Sequence, residues 1–229
     1  MIGKGKSISH GVAALEYDLA KEIDGQAAAT EIARHELYGC TGAEMVQEMK
    51  PYFTDFPNVK NNCLRFEVSP SIEESSSFTD TDWAELGNDF MQRMGLMNHQ
   101  YIIIKHSGTE SKKKQAHLHI LANRISLSGE LYRDNWIGKR ATEAANAIAK
   151  ERDFVQSQDI GKANKAEIKE AMNEVLKKLQ GFDLAKFQEE LGKLGFKVRE
   201  ARASTGKLNG CYVTARSGTE YKASEIGKG

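Results

Sequence analysis

The amino-acid sequence predicts a protein of the α+β class with two parts, a main body and a small basic appendage. Stretches with the spacing of strands and stretches with the spacing of helices alternate irregularly along the 229 residues. A composition of 40% hydrophobic and 28% charged residues is ordinary for a globular protein with a sizeable core. We place the boundary near residue 155, with a main domain at residues 1–154 and a helical linker and small α+β appendage at residues 155–229.

Charge is divided unevenly between the two parts. The net charge is zero, but residues 161–229 carry 14 Lys and Arg against 9 Asp and Glu, which leaves 18 against 23 in residues 1–160. Zero net charge by itself argues against a nucleic-acid partner, because phosphate binding usually needs an excess of basic residues. The division keeps that class open, since an acidic body can bind a cation and a basic appendage can follow a phosphate backbone.

No segment of the sequence predicts a membrane span or an export signal. No apolar run reaches the roughly 18 residues that a span requires, and the opening residues lack the apolar stretch of a secretory signal. The three cysteines stand far apart without a C-x-x-C pair. We therefore expect a cytoplasmic protein that does not insert into membranes.

Three segments of the main body have the pattern of strands. Residues 63–68 and 101–104 are rich in apolar and β-favouring side chains, and Ser69-Pro70 ends the first of them. Residues 117–121 alternate polar and apolar side chains, as a half-buried strand does. A polar loop joins the second segment to the third, so a hairpin connection would make these two strands neighbours.

Helices are predicted around these strands. A serine-rich loop leads through Thr79 to a helix at residues 83–94, which Gly95 ends. A second helix is predicted at residues 139–152.

The last third of the chain is predicted to be helical at first and mixed afterwards. A linker is expected at residues 155–165, and apolar spacing predicts a helix at residues 164–179. Beyond it, the pattern is that of a helix, a strand, a glycine-containing turn and a second strand.

Histidines form the most specific chemical pattern in the chain. His117 and His119 stand two apart on a predicted strand, so their side chains point to the same face and can share one metal ion. His106 ends the preceding strand and can supply a third imidazole if the two strands are neighbours. An H-x-H pair also occurs by chance, but this arrangement brings three of the six histidines together.

Outside this group, few residues are candidates for catalysis. His10, His35 and His99 lack such a context, and we expect them at the surface or at helix ends. Glu67, on a predicted strand, is the best candidate for an additional carboxylate near the cation, although a strand glutamate is more often simply solvated. The sequence contains no H-E-x-x-H, G-x-S-x-G or P-loop motif.

Five sequence blocks stand in a distinctive order along the chain. They are GKGKSISHGVAALEYDLAK, RHELYG, NNCLRFEVSPSIEES, FTDTDWAELGNDFMQRMG and HQYIIIKHSGTESKKKQAHLHILANRISLSGELYRDN. This order resembles the relaxase or mobilisation nuclease family of conjugative and mobilisable elements, especially the Bacteroides-type versions. The resemblance implies a central antiparallel sheet flanked by helices, with a histidine-bound divalent cation and a catalytic tyrosine.

The resemblance also assigns roles to single residues. The tyrosine falls on Tyr17, with Tyr38 as the alternative nucleophile, and the metal ligands fall on the three histidines already named. The serine motif falls on Ser69, to which the resemblance assigns a role in holding DNA beside the break. The Asn-Arg that closes the last block falls on Asn123 and Arg124, as residues that bind DNA or support the site.

Two features of this chain depart from the family pattern. The loop between the last two strands is longer than usual and carries Lys112, Lys113 and Lys114, which either contact phosphates or are simply solvated. The usual carboxylates of that loop are replaced by Thr109-Glu110, with Glu110 expected to orient a histidine. Family members usually continue beyond such a basic ending, so we expect a native protein longer than 229 residues.

The chemistry implied is the nicking of one DNA strand. A histidine site with an open face leaves room for a phosphate oxygen, where a metal acts as a Lewis acid on the phosphodiester. Attack by the tyrosine gives a 5′-phosphotyrosine and a free 3′-OH, which can later reseal the strand. The expected cofactor is Mg or Mn, with Zn or Ni as alternatives in vitro. The expected partners are single-stranded DNA at a transfer origin, accessory mobilisation proteins and a coupling protein.

Three other readings stay open from the sequence. A rolling-circle replication initiator would use the same chemistry, although the order of the blocks disfavours it. A non-catalytic DNA-binding accessory protein would bind no metal at the histidines and would tolerate loss of Tyr17. A structural zinc protein would unfold with chelators, but no cysteine stands near the histidines.

Overall fold

The computed structural model describes residues 1–23, 26–107, 115–181 and 183–227. They form two compact units, Met1–Ser157 and Gln158–Gly229. The strands are β1 (Ile2–Ile8), β2 (Glu22–Ile23), β3 (Gln26–Ala27), β4 (Ala29–His35), β5 (Cys63–Ser69), β6 (His99–His106), β7 (His117–Ser126), β8 (Lys197–Arg202), β9 (Leu208–Thr214) and β10 (Glu220–Lys222). The helices are α1 (Gly11–Leu19), α2 (Gly42–Met49), α3 (Ile72–Ser75), α4 (Asp80–Met94), α5 (Ile137–Glu151), α6 (Ser157–Lys178), α7 (Leu184–Lys193) and α8 (Ala223–Ile226), with a 3-10 helix at Lys50–Phe53. In the described part of the chain, no helix has the length and apolar character to cross a membrane.

The first unit is built on a five-stranded antiparallel sheet. Its strand order is β1-β5-β7-β6-β4, and every neighbouring pair runs antiparallel. The two strands that were expected to be hairpin neighbours, β6 and β7, do pair with each other, and β7 lies at the centre of the sheet. The α+β class with an antiparallel sheet flanked by helices is confirmed.

Helices cover both faces of this sheet with separate cores. On one face, α4 and α5 pack apolar side chains such as Phe90 and Ile148 against Phe66 and Ile120. On the other face, α1 and α2 pack against a smaller set of strand residues that includes Leu121. Side chains alternate between the two cores along β6 and β7, as the period of two requires. We call the second face the α1 face.

Local sequence signals account for the ends of α4. Thr79 caps the helix, because its hydroxyl accepts a hydrogen bond from the main-chain N–H of Asp82 at 3.3 Å. Gly95 ends it in the left-handed conformation at φ 71°, which glycine adopts without steric cost. The stop predicted at Gly95 is confirmed, and the cap lies at the start of the predicted patch 79–82, three residues earlier than the predicted helix at 83–94 required.

The structure corrects the predicted environment of β7 and of one histidine. All residues of β7 except Arg124 are buried, so the strand is covered on both faces and not half-exposed. Its central position in the sheet explains this, because helices lie over both sides. His99, expected at the surface, is buried at the start of β6, where its Nδ1 lies 2.9 Å from the carbonyl oxygen of Asn123.

The predicted linker at residues 155–165 is wrong for most of its length. Helix α6 begins at Ser157 and runs to Lys178. None of its residues before Ile168 is buried, so the first turns lack the apolar spacing from which the helix was recognised.

The second unit has its own core. Helices α6, α7 and α8 pack on the antiparallel sheet β10-β9-β8 through buried side chains that include Phe187, Phe196 and Val213. The predicted helix, strand, turn and strand correspond to α7, β8, a turn with Gly206 and β9. Strand β10 and helix α8 were not predicted.

A candidate metal centre beside a tyrosine helix

Three histidine side chains meet where β6 ends and β7 begins. His106 is the register partner of His117, and His119 lies two residues further along β7, so all three project from the α1 face. The ring centroids of His106 and His119 are 4.4 Å apart, and those of His117 and His119 are 4.9 Å apart. All three side chains are buried, and one nitrogen atom from each lies within 4.8 Å of the others. This arrangement has the size of a three-nitrogen metal site.

Hydrogen bonds determine which ring nitrogens of two histidines carry the proton. Nε2 of His106 lies 2.7 Å from the main-chain carbonyl oxygen of Asp18, and Nδ1 of His117 lies 3.2 Å from that of Gln115. A carbonyl oxygen only accepts, so these nitrogens donate and leave lone pairs on Nδ1 of His106 and Nε2 of His117. Nε2 of His117 faces Nε2 of His119 at 3.1 Å. Two nitrogens bound to one ion at about 2.1 Å can span such a distance.

Burial lowers the pKa of His106 from its ordinary value, because the charged imidazolium would lose its hydration. The hydrogen bond to the Asp18 carbonyl raises the pKa but is the smaller effect. The ring is therefore neutral at neutral pH, and neutral imidazole is the form that binds a metal ion.

A partly buried ion pair borders the histidines, and the sequence analysis missed it. Asp18 of α1 is 1% exposed, and Arg65 of β5 donates to its two carboxylate oxygens through Nε, at 3.0 Å, and through Nη2. Nη2 of Arg65 lies 3.3 Å from Nδ1 of His119, and a carboxylate oxygen of Asp18 lies 3.9 Å from the same nitrogen. The pair therefore ties α1 to the sheet at the edge of the histidine cluster.

One signal in the sequence could have found Asp18. It follows Ala14 and Leu15 at the spacing of one helix face, and both of those residues are buried. An acidic residue at such a core position is rare unless it is paired. Nothing comparable marks Arg65, because its alternation with apolar neighbours fits a solvated strand residue equally well.

Tyr17 directly precedes Asp18, but its side chain points to solvent. It is 60% exposed, and its hydroxyl lies 3.5 Å from Nζ of Lys21, one helical turn further along. The same ammonium lies 5.4 Å from the centroid of the tyrosine ring. Because the carbonyl of Asp18 contacts His106, the main chain that carries Tyr17 lies beside the histidine cluster.

Tyr38 lies between β4 and α2 and has a different environment. Its side chain is 76% exposed, and its hydroxyl donates to a carboxylate oxygen of Glu36 at 3.2 Å. That hydrogen bond raises the pKa of Tyr38, because the carboxylate stabilises the protonated phenol and repels the phenolate. The Glu36 carboxylate therefore disfavours the phenolate form of Tyr38.

Strand β5 brings two further predicted residues to the α1 face. Glu67 is the register partner of His119, and a carboxylate oxygen of Glu67 lies 3.4 Å from Nζ of Lys4. Ser69 lies two residues further along the strand and is buried. Both residues are therefore on the histidine side of the sheet.

Asn123 and Arg124 lie away from the histidines, further along β7. Asn123 is fully buried, and its side chain donates to Gln100 and accepts from the main chain of Ile125, both at 2.9 Å. Arg124 pairs with Asp134 at 2.7 Å. These contacts join β7 to its neighbours within the first unit, and the role of the two residues stays a prediction.

The remaining predicted residues, Glu110 and Lys112 to Lys114, lie outside the residues that the structure describes. Their roles stay predictions from the sequence.

Comparison with known proteins places this chain in a family of DNA-nicking enzymes. Residues 17–154 match the family model described as relaxase, MobA/VirD2-like, nuclease domain. This match covers more than half of the chain, and the chain belongs to that family of DNA relaxases. No curated protein matches the sequence.

A solved structure also shows similarity to this chain. It is the conjugative relaxase TrwC in complex with oriT DNA, in a metal-bound form. The identity is 11%, the TM-score is 0.38, and the match covers 90% of this chain and 74% of that chain.

Proposed function

We propose that this protein nicks one DNA strand at a transfer origin with Tyr17 as the nucleophile and later reseals it, during mobilisation of a plasmid or transposon. The observation that carries the proposal is the link through Asp18. Its main-chain carbonyl oxygen accepts a hydrogen bond from His106, and its carboxylate accepts hydrogen bonds from Arg65, which lies beside His119. This link sets the tyrosine helix directly against the histidine cluster.

The reaction exchanges one phosphodiester for another. The Tyr17 oxygen forms a bond to phosphorus, and the bond from phosphorus to the 3′ oxygen breaks. The phenolic proton leaves, and the departing 3′ oxygen takes up a proton to become a hydroxyl. Because the number of phosphodiester bonds is unchanged, attack by that hydroxyl on the phosphotyrosine can restore the strand.

The histidine cluster fits a divalent cation. His106 and His117 present lone pairs toward a common centre, and burial keeps His106 neutral. His119 would complete the set of ligands, and Glu67 is its neighbour across the strands. When bound, Mg or Mn would neutralise charge that develops on the scissile phosphate, and Zn or Ni would serve in vitro.

The surroundings of the two tyrosines favour Tyr17 as the nucleophile. The ammonium of Lys21 lies 3.5 Å from the Tyr17 oxygen. The exposure of Tyr17 leaves its hydroxyl accessible to a DNA strand. Tyr38 is the weaker candidate, because its hydroxyl donates a hydrogen bond to the carboxylate of Glu36, which disfavours the phenolate.

The substrate in this proposal is single-stranded DNA, because pairing and curvature in a duplex shield the phosphate from in-line attack. Ser69 would hold the strand next to the break, and Asn123 and Arg124 would support the sheet. Glu110 and Lys112 to Lys114 keep the roles expected from the sequence, in orienting a histidine and contacting phosphates. Accessory mobilisation proteins and a coupling protein complete the proposed partners, in the cytoplasm.

The test is a covalent-adduct assay on a denaturing gel. The purified protein is incubated with Mn²⁺ and single-stranded DNA from its own element, and wild type is compared with Tyr17→Phe and with Tyr38→Phe as the matched control. We expect an adduct with wild type and Tyr38→Phe, no adduct with Tyr17→Phe, and no adduct with wild type in a chelator.

Other outcomes would change the proposal in defined ways. An adduct that is lost with Tyr38→Phe and kept with Tyr17→Phe would move the nucleophile to Tyr38. No adduct with folded, Mn²⁺-loaded wild type would overturn nicking and leave a DNA-binding accessory role. An adduct of undiminished yield in the chelator would overturn the metal dependence.

A further inference from the structure

The sequence pattern Gly-Lys-Gly-Lys at the start of the chain acquires a meaning from the packing of β1. An added Cβ atom at Gly3 would lie 2.4 Å from the carbonyl oxygen of Ala141 in α5, and one at Gly5 would lie 2.7 Å from the ring of Phe66. An added Cβ at Gly5 would also lie 3.2 Å from the Cβ atom of Ala141, so both glycines face α5. Alternation along the strand then sends the intervening lysines to the α1 face.

The register of the sheet brings these lysines to the histidine side. Lys4 is paired with Glu67, which is paired in turn with His119. Lys6 is paired with Arg65. Since neighbouring strands lie about 4.8 Å apart, the two lysine backbones are only two strands, or roughly 10 Å, from the histidine strand.

A cavity of about 240 Å³ lies between the lysines of β1 and the histidine cluster. The side chains that line it include Lys4, Lys6, Arg65, Glu67 and His119. Both lysines are exposed. The apolar core of the α1 face packs on other residues of the sheet and leaves the two lysines uncovered. The cavity is therefore lined by His119 of β7 and, two strands away, by Lys4 and Lys6 of β1.

The charges at the cavity favour an anion at the lysine end. Arg65 is held by Asp18, and Lys4 lies 3.4 Å from a carboxylate oxygen of Glu67. A solvent-exposed pair of this kind contributes little, so Lys4 can exchange Glu67 for a phosphate at small cost. Lys6 forms no ion pair with any residue that the structure describes.

We propose that Lys4 and Lys6 form a phosphate-binding subsite that holds the DNA strand one step away from the histidine centre. A backbone phosphate adjoining the scissile one would sit between the two ammonium groups, with Arg65 beneath it. The inference rests on the proposed function for the identity of the ligand, single-stranded DNA. It gives β1 a role in DNA binding, because its two lysines would direct the DNA strand across β5 toward the histidines.

The test separates DNA binding from nicking. Binding of a fluorescently labelled single-stranded oligonucleotide from the protein's own element is measured by anisotropy over a series of salt concentrations. All proteins carry Tyr17→Phe, so no covalent adduct forms. The test variant adds Lys4→Gln and Lys6→Gln, and the matched control adds Lys139→Gln and Lys150→Gln on α5, on the opposite face of the sheet.

We expect the test variant to bind the oligonucleotide more weakly and its affinity to depend less steeply on salt concentration. Each lost phosphate contact on a single strand lowers the slope of log affinity against log salt by about 0.7, so the test variant should lose about 1.4. The control should keep the slope of the parent protein. Replacement of Lys4 and Lys6 by arginine should restore most of the slope, which also shows that the glutamine variant is not merely misfolded.

An unchanged slope for the Lys4 and Lys6 variant would overturn the subsite, and so would an equal loss in the α5 control. The covalent-adduct assay reports separately on nicking. If wild type forms no adduct but the slope still falls in the test variant, the subsite stands and the nicking proposal fails. If wild type forms the adduct and the slope is unchanged, nicking stands and the subsite fails.

Discussion

At the scale of single residues, His99 shows how burial creates a pH dependence away from the histidine cluster. Burial lowers the pKa of His99 below its ordinary value of 6.5, and hydrogen bonds to main-chain carbonyls only partly oppose this. Between the lowered value and about 6.5 the unfolded chain therefore binds more protons than the folded one. The stabilising effect of the neutral imidazole is fully present above about pH 6.5, and we expect the free energy of unfolding to fall as the pH drops below that value.

Urea unfolding at pH 7.5 and pH 5.5 measures this effect, with His99→Gln as the comparison. The variant lacks the titrating group, so its stability should fall less between the two pH values than that of wild type. An equal fall in both proteins would show that other groups, such as His106, carry the pH dependence.

At the scale of elements, the packing of β1 on α5 depends on the absence of a side chain at Gly3. An alanine there would place its Cβ 2.4 Å from the Ala141 carbonyl oxygen and 2.6 Å from the Ala145 Cβ, so strand and helix must separate. We expect Gly3→Ala to lower the free energy of unfolding by about 1–3 kcal/mol, as overpacking usually does. Chemical denaturation measures the change.

The control for this prediction is Gly192→Ala in α7, where an added Cβ meets open space. That substitution should leave stability unchanged or raise it by up to about 1 kcal/mol, because glycine is unfavourable inside a helix. A Gly3→Ala protein as stable as wild type would contradict the close packing of β1 on α5.

At the scale of the whole molecule, two units with separate cores predict two independently stable parts. Buried side chains of the second unit, such as Phe187 and Val213, form a cluster of their own. We expect residues 158–229, expressed alone, to unfold cooperatively in a thermal melt followed by circular dichroism. Phe187→Ala should lower the stability of that fragment by about 3–5 kcal/mol or prevent its folding. A fragment without a cooperative transition would show that the second unit needs the first.

Much of the fold was predictable because its signals are local. The cap at Thr79, the stop at Gly95 and the strand alternation at His117 and His119 depend on residues that are close in sequence. The strands and helices near the N-terminus were not assigned, because β1 alternates glycine with lysine and lacks an apolar face. The start of α6 was missed for a similar reason, since its first turns bury nothing.

The site was predictable only in part. The three histidines could be grouped from an H-x-H pair and a hairpin neighbour, since both follow from the geometry of strands. Asp18 and Arg65 could not be paired in advance, because they are 47 residues apart and meet only where α1 packs on β5. The cavity beside Lys4 depends in the same way on contacts between distant segments.

The sequence by itself determined the chemistry that this protein carries: an H-x-H pair with a third histidine at the end of the preceding predicted strand, tyrosines early in the chain, and a basic final third. The tertiary structure decided which of these groups meet and in what environment. It placed β7 in the middle of the sheet, which buries the histidines, and it set Asp18 of the tyrosine helix against His106. The physical reason is that residue type and spacing are local properties, whereas burial and contact depend on strand order and helix packing across the whole unit.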